Sequence, residues 1–407
     1  MTLSVYLNPL LKNPGTLKGK WMINSVFQKG VPMPTPLTLN YPLAITMWDF
    51  SWLERRWPGA GYEDWDSVLA ELKQRGYDAV RIDAYPHLVA HDPRRVWELL
   101  PEWNVQAWGA PSRCRVQVMP NLVRFIEKCA QHGLRVGLST WFRQDIENIR
   151  LRIHTPADLA QVWRTTLDLI AAHGLIDTIL YVDLCNEFPL RVWAPFIYSA
   201  SETPADYSPA DSLAATWMNA ALAELRQHYP TLPLCFSLTN DFEHRQQFDV
   251  AAHDLLELHL WMVHFSDFYT HIPYNYERFD PAGYDRLALK AEPLYRQRPN
   301  HWQQALTRAI QAMAEWGHAL HKPLITTECW ALVDYKDAPL LSWDWIKDLC
   351  ALGATTASAT GQWAAIATSN FCGPQFVGMW RDVDWHRRLT EIIHNGILPP
   401  CYYTQLS

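Results

Sequence analysis

A closed (β/α)8 barrel, an α/β fold, is what this sequence predicts. Three observations lead there. Eight short apolar runs have the composition of buried strands, amphipathic stretches with charges three and four residues apart lie between them, and glycines stand where helices should end. Strands that are apolar almost throughout and alternate with helices indicate a parallel sheet covered on both faces, and eight such units close a ring.

In chain order the runs are LAITMW (43–48), AVRIDAY (79–85), RVGLSTWF (135–142), TILYVDL (178–184), LCFSLT (234–239), LLELHLWMV (255–263), LITTECW (324–330) and ATTASATGQW (354–363). The helix candidates are 62–75, 121–132, 157–172, 211–228, 302–321, 342–352 and 384–395. In KQRGYDAV, AQHGLRVG and AAHGLIDT, Gly76, Gly133 and Gly174 supply left-handed caps just before the next strand. The fifth helix is the weak unit, because 241–253 is short and polar. Residues 264–301, aromatic and proline-rich, read as a long active-site loop. The whole chain, 1–407, reads as one barrel domain with 1–42 as an N-terminal extension.

Composition narrows the function. A net charge of −7 with no block of like charge leaves no basic stripe for nucleic acid. No window has the length and apolarity of a membrane span, and the first residues lack the pattern of a secretory signal. Eight scattered cysteines without a CxxC pair fit free thiols in a reducing cytoplasm. Tryptophan is abundant, 21 residues against 17 glycines, and flat indole faces suit both a large core and the stacking of sugar rings.

In a parallel barrel the C-terminal strand ends converge on one face, so residues distant in sequence can share a cleft. YVDLCNEF ends the fourth run on Asn186 and Glu187, and Glu328 is a lone charge in the seventh run. Two carboxyl groups about 5–5.5 Å apart are what a retaining glycosidase uses, one as acid and one as nucleophile.

Asn-Glu after the fourth strand and a glutamate in the seventh resemble the retaining glycoside hydrolases of clan A, above all the cellulase-like branch of family five. The resemblance implies Glu187 as acid/base, protonated in its less polar surroundings, and Glu328 as nucleophile, with Asn186 holding a sugar hydroxyl. It implies that Arg81 lies beside the nucleophile and keeps it ionised, since a neighbouring guanidinium lowers a carboxylate pKa. Asp83 and Asp49 are alternative partners for Arg81.

The resemblance also places His259 in the cleft and Trp363, after the eighth strand, under the sugar. Trp141, Trp48, Trp261 and Trp330 sit at expected strand ends, where they would stack on sugar or fill the core. Two departures from the family pattern are Trp261, where a tyrosine is common, and the absence of histidine in Thr140-Trp141-Phe142. The implied substrate is a β-linked glycoside or oligosaccharide, with no cofactor. A sugar-binding barrel without catalysis is the alternative.

Metal catalysis in such barrels usually shows an HxH pair in the first strand, and LAITMWDF has none. Phosphate binding would need a glycine-rich turn after the seventh or eighth strand, also absent from the sequence. The sugar, exo or endo action, and the oligomeric state depend on loop shape and surface patches that periodicity does not encode.

Overall fold

The computed structural model describes residues 39–102, 110–198, 205–272, 274 and 282–398, all of which fall in one compact unit. Most of the expected extension 1–42 lies outside these residues. Eight parallel barrel strands run Leu43–Thr46, Ala79–Asp83, Arg135–Ser139, Ile179–Asp183, Leu234–Leu238, Leu256–Leu258, Leu324–Thr326 and Trp363–Ala367. The fifth is divided at Phe236. Its first half, Leu234–Cys235, pairs with the fourth strand, and its second, Ser237–Leu238, pairs with the sixth, which closes the ring. Short continuations of the sixth and seventh strands, Leu260–Trp261 and Cys329–Trp330, pair in parallel above the barrel. Outside the ring, Trp97–Leu99 and Cys114–Val116 form a small antiparallel pair after the second strand.

Seven of the eight expected strands coincide with barrel strands; the last does not. Residues 354–360, expected in a strand, belong to the helix Asp344–Thr360. Small buried residues recur there with helical spacing, Gly353, Ala354, Ala357 and Ser358, while Thr355 is exposed. Thr356 and Ser358 turn their hydroxyls back to carbonyls four residues earlier, satisfying them within the helix. An alanine Cβ at Gly353 would lie 2.5 Å from the Trp330 ring, so these small side chains set the close helix-to-sheet approach. Gly361, with φ +73°, ends the helix, and the eighth strand begins at Trp363.

The expected glycine caps are present: Gly76, Gly133 and Gly174 have φ of +88°, +66° and +70°. The fifth unit carries only a short 3-10 turn, Phe242–Gln247, where the sequence reads as weakly helical. Residues 264–301 differ from the expected loop. Among the described ones, Phe268–His271 and Ala282–Gln297 are helical and Pro299 starts a helix running to Ala319. Among the described residues, no helix is long and apolar enough to cross a membrane.

Candidate active site

The upper barrel is polar where the lower barrel is not. Strand periodicity of two turns Arg81 and Asp83, and likewise Glu257 and His259, to common faces, and all four are buried. Their charges are removed from water and must be satisfied by one another. Arg81 does most of this. Its Nε donates to both oxygens of Asp49 at 2.9 Å, and Nη2 to Asn186 Oδ1 at 2.8 Å and Glu328 Oε1 at 2.7 Å. Nη1 donates to Glu257 Oε1 at 2.7 Å and Thr327 Oγ1 at 2.6 Å, and lies 3.2 Å from His259 Nε2. The guanidinium is thus held from five sides, and burial, which disfavours its charge, is outweighed by Asp49, Glu257 and Glu328.

Above Arg81, an oxygen of Glu187, an oxygen of Glu328 and a ring nitrogen of His259 all lie within 4.8 Å of one another. His259 Nδ1 is 3.1 Å from Glu187 Oε1 and 3.6 Å from Glu328 Oε1. Glu187 is fixed by its backbone N–H, which donates to Ser237 Oγ at 2.8 Å, and by Trp193 Nε1, which donates to Oε2 at 3.1 Å. Its side chain keeps 12% of its exposure, whereas that of Glu328 keeps 1%. Glu328 Oε2 and the Asn186 amide nitrogen are buried without a hydrogen-bond partner among the described residues. An acceptor and a donor are therefore left unsatisfied beside the carboxyl pair, as a site awaiting a hydroxylated ligand requires.

Electrostatics treats the two carboxyl groups differently. Burial pushes Glu328 up to about 8, against the opposing pull of His259 and Arg81 and with the help of the negative Glu187 and Asp49. Burial likewise opposes ionisation of Glu187, but the hydrogen bond and charge of His259, with Trp193, outweigh it and hold that carboxyl below its ordinary value. Burial works against the His259 cation too, yet Glu328, Glu187 and Glu257 together raise it to about 10.

The structure gathers Glu187, Glu328, Arg81, Asn186 and His259 at one place. Trp141 and Trp261 adjoin it: Trp141 Nε1 donates to Asp49 Oδ2, and the Trp261 ring meets His259 edge-on at 5.9 Å. The other three tryptophans lie elsewhere. Trp363 begins the eighth strand, paired with Leu324 at the barrel end away from the cleft. Its ring packs edge-to-face on Trp330, which lies against Gly353 and donates to the Ala367 carbonyl at 2.9 Å. Both fill the layer between sheet and helix. Trp48 packs on Phe376 at 4.7 Å and is likewise core. Sequence reading missed Glu257, Thr327, Ser237 and Trp193. Glu257 had a legible signal, a charge two residues before His259 on the same strand face; Trp193, from an irregular stretch after the fourth strand, had none.

Among the described residues, Glu187, His259 and Glu328 are the one group spaced to hold a metal ion. The Arg81 guanidinium already supplies a fixed positive charge 2.7 Å from Glu328, which opposes a second cation there.

The same titrations fix how stability should vary with pH. Burial keeps His87, His253 and His386 neutral down to about 3, and His264 to about 4. The unfolded chain protonates these histidines first, so stability falls as pH drops from about 6.5 through that range. Burial raises Asp83 to about 7 and Asp183 to about 6, so these groups, with Glu328, keep protons that the unfolded chain releases. Stability therefore also falls as pH rises above the ordinary carboxylate range, and His259 extends that loss toward 10. Unfolding free energies from urea titration should peak at about pH 6–6.5, falling by about 1.4 kcal/mol per pH unit for each uncompensated proton. A midpoint rising steadily to pH 9 would contradict this account.

Comparisons with known proteins agree with the geometry. Residues 45–394 match the model of a family described as sugar-binding cellulase-like. A solved protein from Parabacteroides distasonis ATCC 8503, described as a candidate glycoside hydrolase, is 51% identical, covers 89% of this chain and 96% of its own, and superposes with a TM-score of 0.87. The endo-β-1,4-mannanase of Thermotoga petrophila shares the fold at 10% identity, with 88% of this chain and 78% of its own covered and a TM-score of 0.52. No curated protein matches the sequence. With its barrel complete and its matched span running from the first strand to the last helix, the chain belongs to the cellulase-like family.

Proposed function

We propose that this protein is a retaining glycoside hydrolase acting on β-linked glycosides or oligosaccharides by double displacement. The observation that carries the reading is the approach of Glu187 and Glu328, whose oxygens lie within 4.8 Å through a shared contact with His259. Inverting enzymes keep their carboxyl groups about 6.5–9.5 Å apart to admit a water, and retaining enzymes about 5–5.5 Å. The relative from Parabacteroides distasonis, described as a candidate glycoside hydrolase, supports the hydrolase part of the reading.

In the first step Glu328 Oε2, unpartnered and aimed at no protein donor, attacks the anomeric carbon while Glu187 protonates the departing oxygen. The productive form has its proton on Glu187. A sugar over Glu187 removes its remaining water and raises its pKa. His259 Nδ1, within 3.6 Å of both carboxyl groups, couples their charges. Asn186 Nδ2 donates to a hydroxyl next to the anomeric carbon as charge develops there. Water activated by Glu187 then releases the sugar.

NMR of the first-formed product from an aryl β-glycoside should show the β-anomer before mutarotation. An α-anomer as first product rules the scheme out. The family's description as sugar-binding gives a second reading, a barrel that binds without cleaving. Calorimetric binding with no turnover on gluco, manno, galacto, xylo and arabinofuranosyl substrates would favour it.

A further inference from the structure

We propose that Glu257, buried beneath the carboxyl pair, is a positioning residue that acts through Arg81 and His259 to set the charge and orientation of both. This rests on the hydrolase reading. Glu257 is wholly buried in the sixth strand, and its Oε1 accepts from Arg81 Nη1 at 2.7 Å and from the Thr327 hydroxyl. That oxygen also faces His259 Nε2 at 3.7 Å.

Hydrogen counting explains why this matters. Arg81 Nη1 carries two hydrogens. Three acceptors surround it: Glu257, Thr327 and His259 Nε2. With the two hydrogens on Glu257 and Thr327, His259 Nε2 is free to hold its own hydrogen toward the Glu257 anion, and Nδ1 holds another toward Glu187. The ring is then a cation clamped between carboxylates above and below. Without the Glu257 charge, Nε2 becomes the acceptor for Arg81 and the ring is neutral.

The groups facing His259 are few enough to name. Glu187 and Glu328 face Nδ1, and Arg81 and Glu257 face Nε2. Asp49 and Thr327 act on it through Arg81, and Asp183 faces Glu257. Trp261 packs on the ring edge, with His264 behind it kept neutral by burial. Among these, Glu257 is the one anion on the Nε2 side that touches neither the cleft nor the expected sugar.

The test follows the His259 ring directly by NMR of the free protein labelled at histidine, its signal identified by its loss in His259→Asn. In wild type the ring should remain protonated above pH 8. In Glu257→Gln, which keeps the shape and loses the charge, the midpoint should fall by about one pH unit or more. In Glu257→Asp, which withdraws the anion by one methylene, the fall should be smaller. With an aryl β-glycoside, Glu257→Gln should lower kcat roughly tenfold with KM little changed, the pattern of a group misplaced in the transition state. An unchanged His259 midpoint in every folded variant overturns the proposal. Wild type that hydrolyses no glycoside sinks the hydrolase reading instead, and the NMR titration still decides whether Glu257 sets the ring's charge.

Discussion

Glu328→Ala should lower kcat for aryl β-glycosides by roughly 10⁵-fold, with the fold and KM nearly intact. The size follows from the step lost: without the nucleophile there is no first displacement, and the 1% exposure of Glu328 leaves no ready path for water from that face. Truncation also leaves Arg81 Nη2 with Asn186 and Asp49 as its acceptors, so the guanidinium stays anchored and the barrel should not unfold. Azide sharpens the result. Entering the space of the missing carboxyl group, it should restore turnover and give an α-glycosyl azide, because it attacks the face that Glu328 would.

Glu187→Ala gives the contrast that separates the two carboxyl groups. General-acid help is worth about 10²–10⁴-fold, and only where the leaving group needs a proton. Alkyl glycosides should therefore lose that much, while dinitrophenyl glycosides should form the glycosyl-enzyme normally and stall there; azide should then release a β-azide. If Glu187→Ala and Glu328→Ala gave the same azide anomer, the assigned roles would fail. Glu187 and Glu328 are defined by their neighbours: Trp193 and Ser237 fix one, and Arg81, itself held by Asn186, fixes the other.

How much of this was legible in the sequence follows from which forces leave a local trace. A strand buried on both faces must be apolar throughout, so seven of the eight barrel strands stand out, and a charge within one, such as Arg81 or Glu328, announces that something must neutralise it. The eighth failed because its neighbour hides the signal. The helix Asp344–Thr360 ends in alanine, serine and threonine, whose β-branched members suggest strand, while only tertiary contact shows that small residues are needed against Trp330. That error displaced Trp363 from the start of a strand to its end, and so from core to cleft. The protonation states were illegible for a related reason. Arg81 does sit beside Glu328 as expected, but its charge is divided among Asp49, Glu257 and Glu328. Pattern can place a cation near a carboxyl group; it cannot count its competitors.

Arg143→Met should destabilise the protein by about 3–5 kcal/mol, the largest loss expected from a residue outside the carboxyl cluster, because it would take from two buried anions, Glu54 and Glu102, their shared cation. Arg143 is fully buried. Its Nε and Nη2 grip the two oxygens of Glu54 at 2.9 and 2.8 Å, Nη1 reaches Glu102 at 3.2 Å, and Nη2 also donates to the Leu100 carbonyl at 3.0 Å. Burial opposes the guanidinium's charge, yet Glu54 and Glu102 hold its pKa above the ordinary value. These contacts join the segments after the first, second and third strands, with the Tyr85 hydroxyl donating to Glu54 as well. They also reach the active site. Arg143 lies 5.0 Å over the Phe50 ring, Phe50 packs edge-on against Trp141, and Trp141 donates to the Asp49 that anchors Arg81. The variant should thus lose kcat as well as stability, whereas Glu54→Gln combined with Arg143→Met, which removes the more tightly held of the two stranded charges and leaves Glu102, should recover part of the stability and little of the kcat. Urea unfolding and steady-state kinetics on the two variants separate these effects; equal stability of wild type and Arg143→Met would show that the buried cluster does not hold the fold, and an unchanged kcat that it does not support the site.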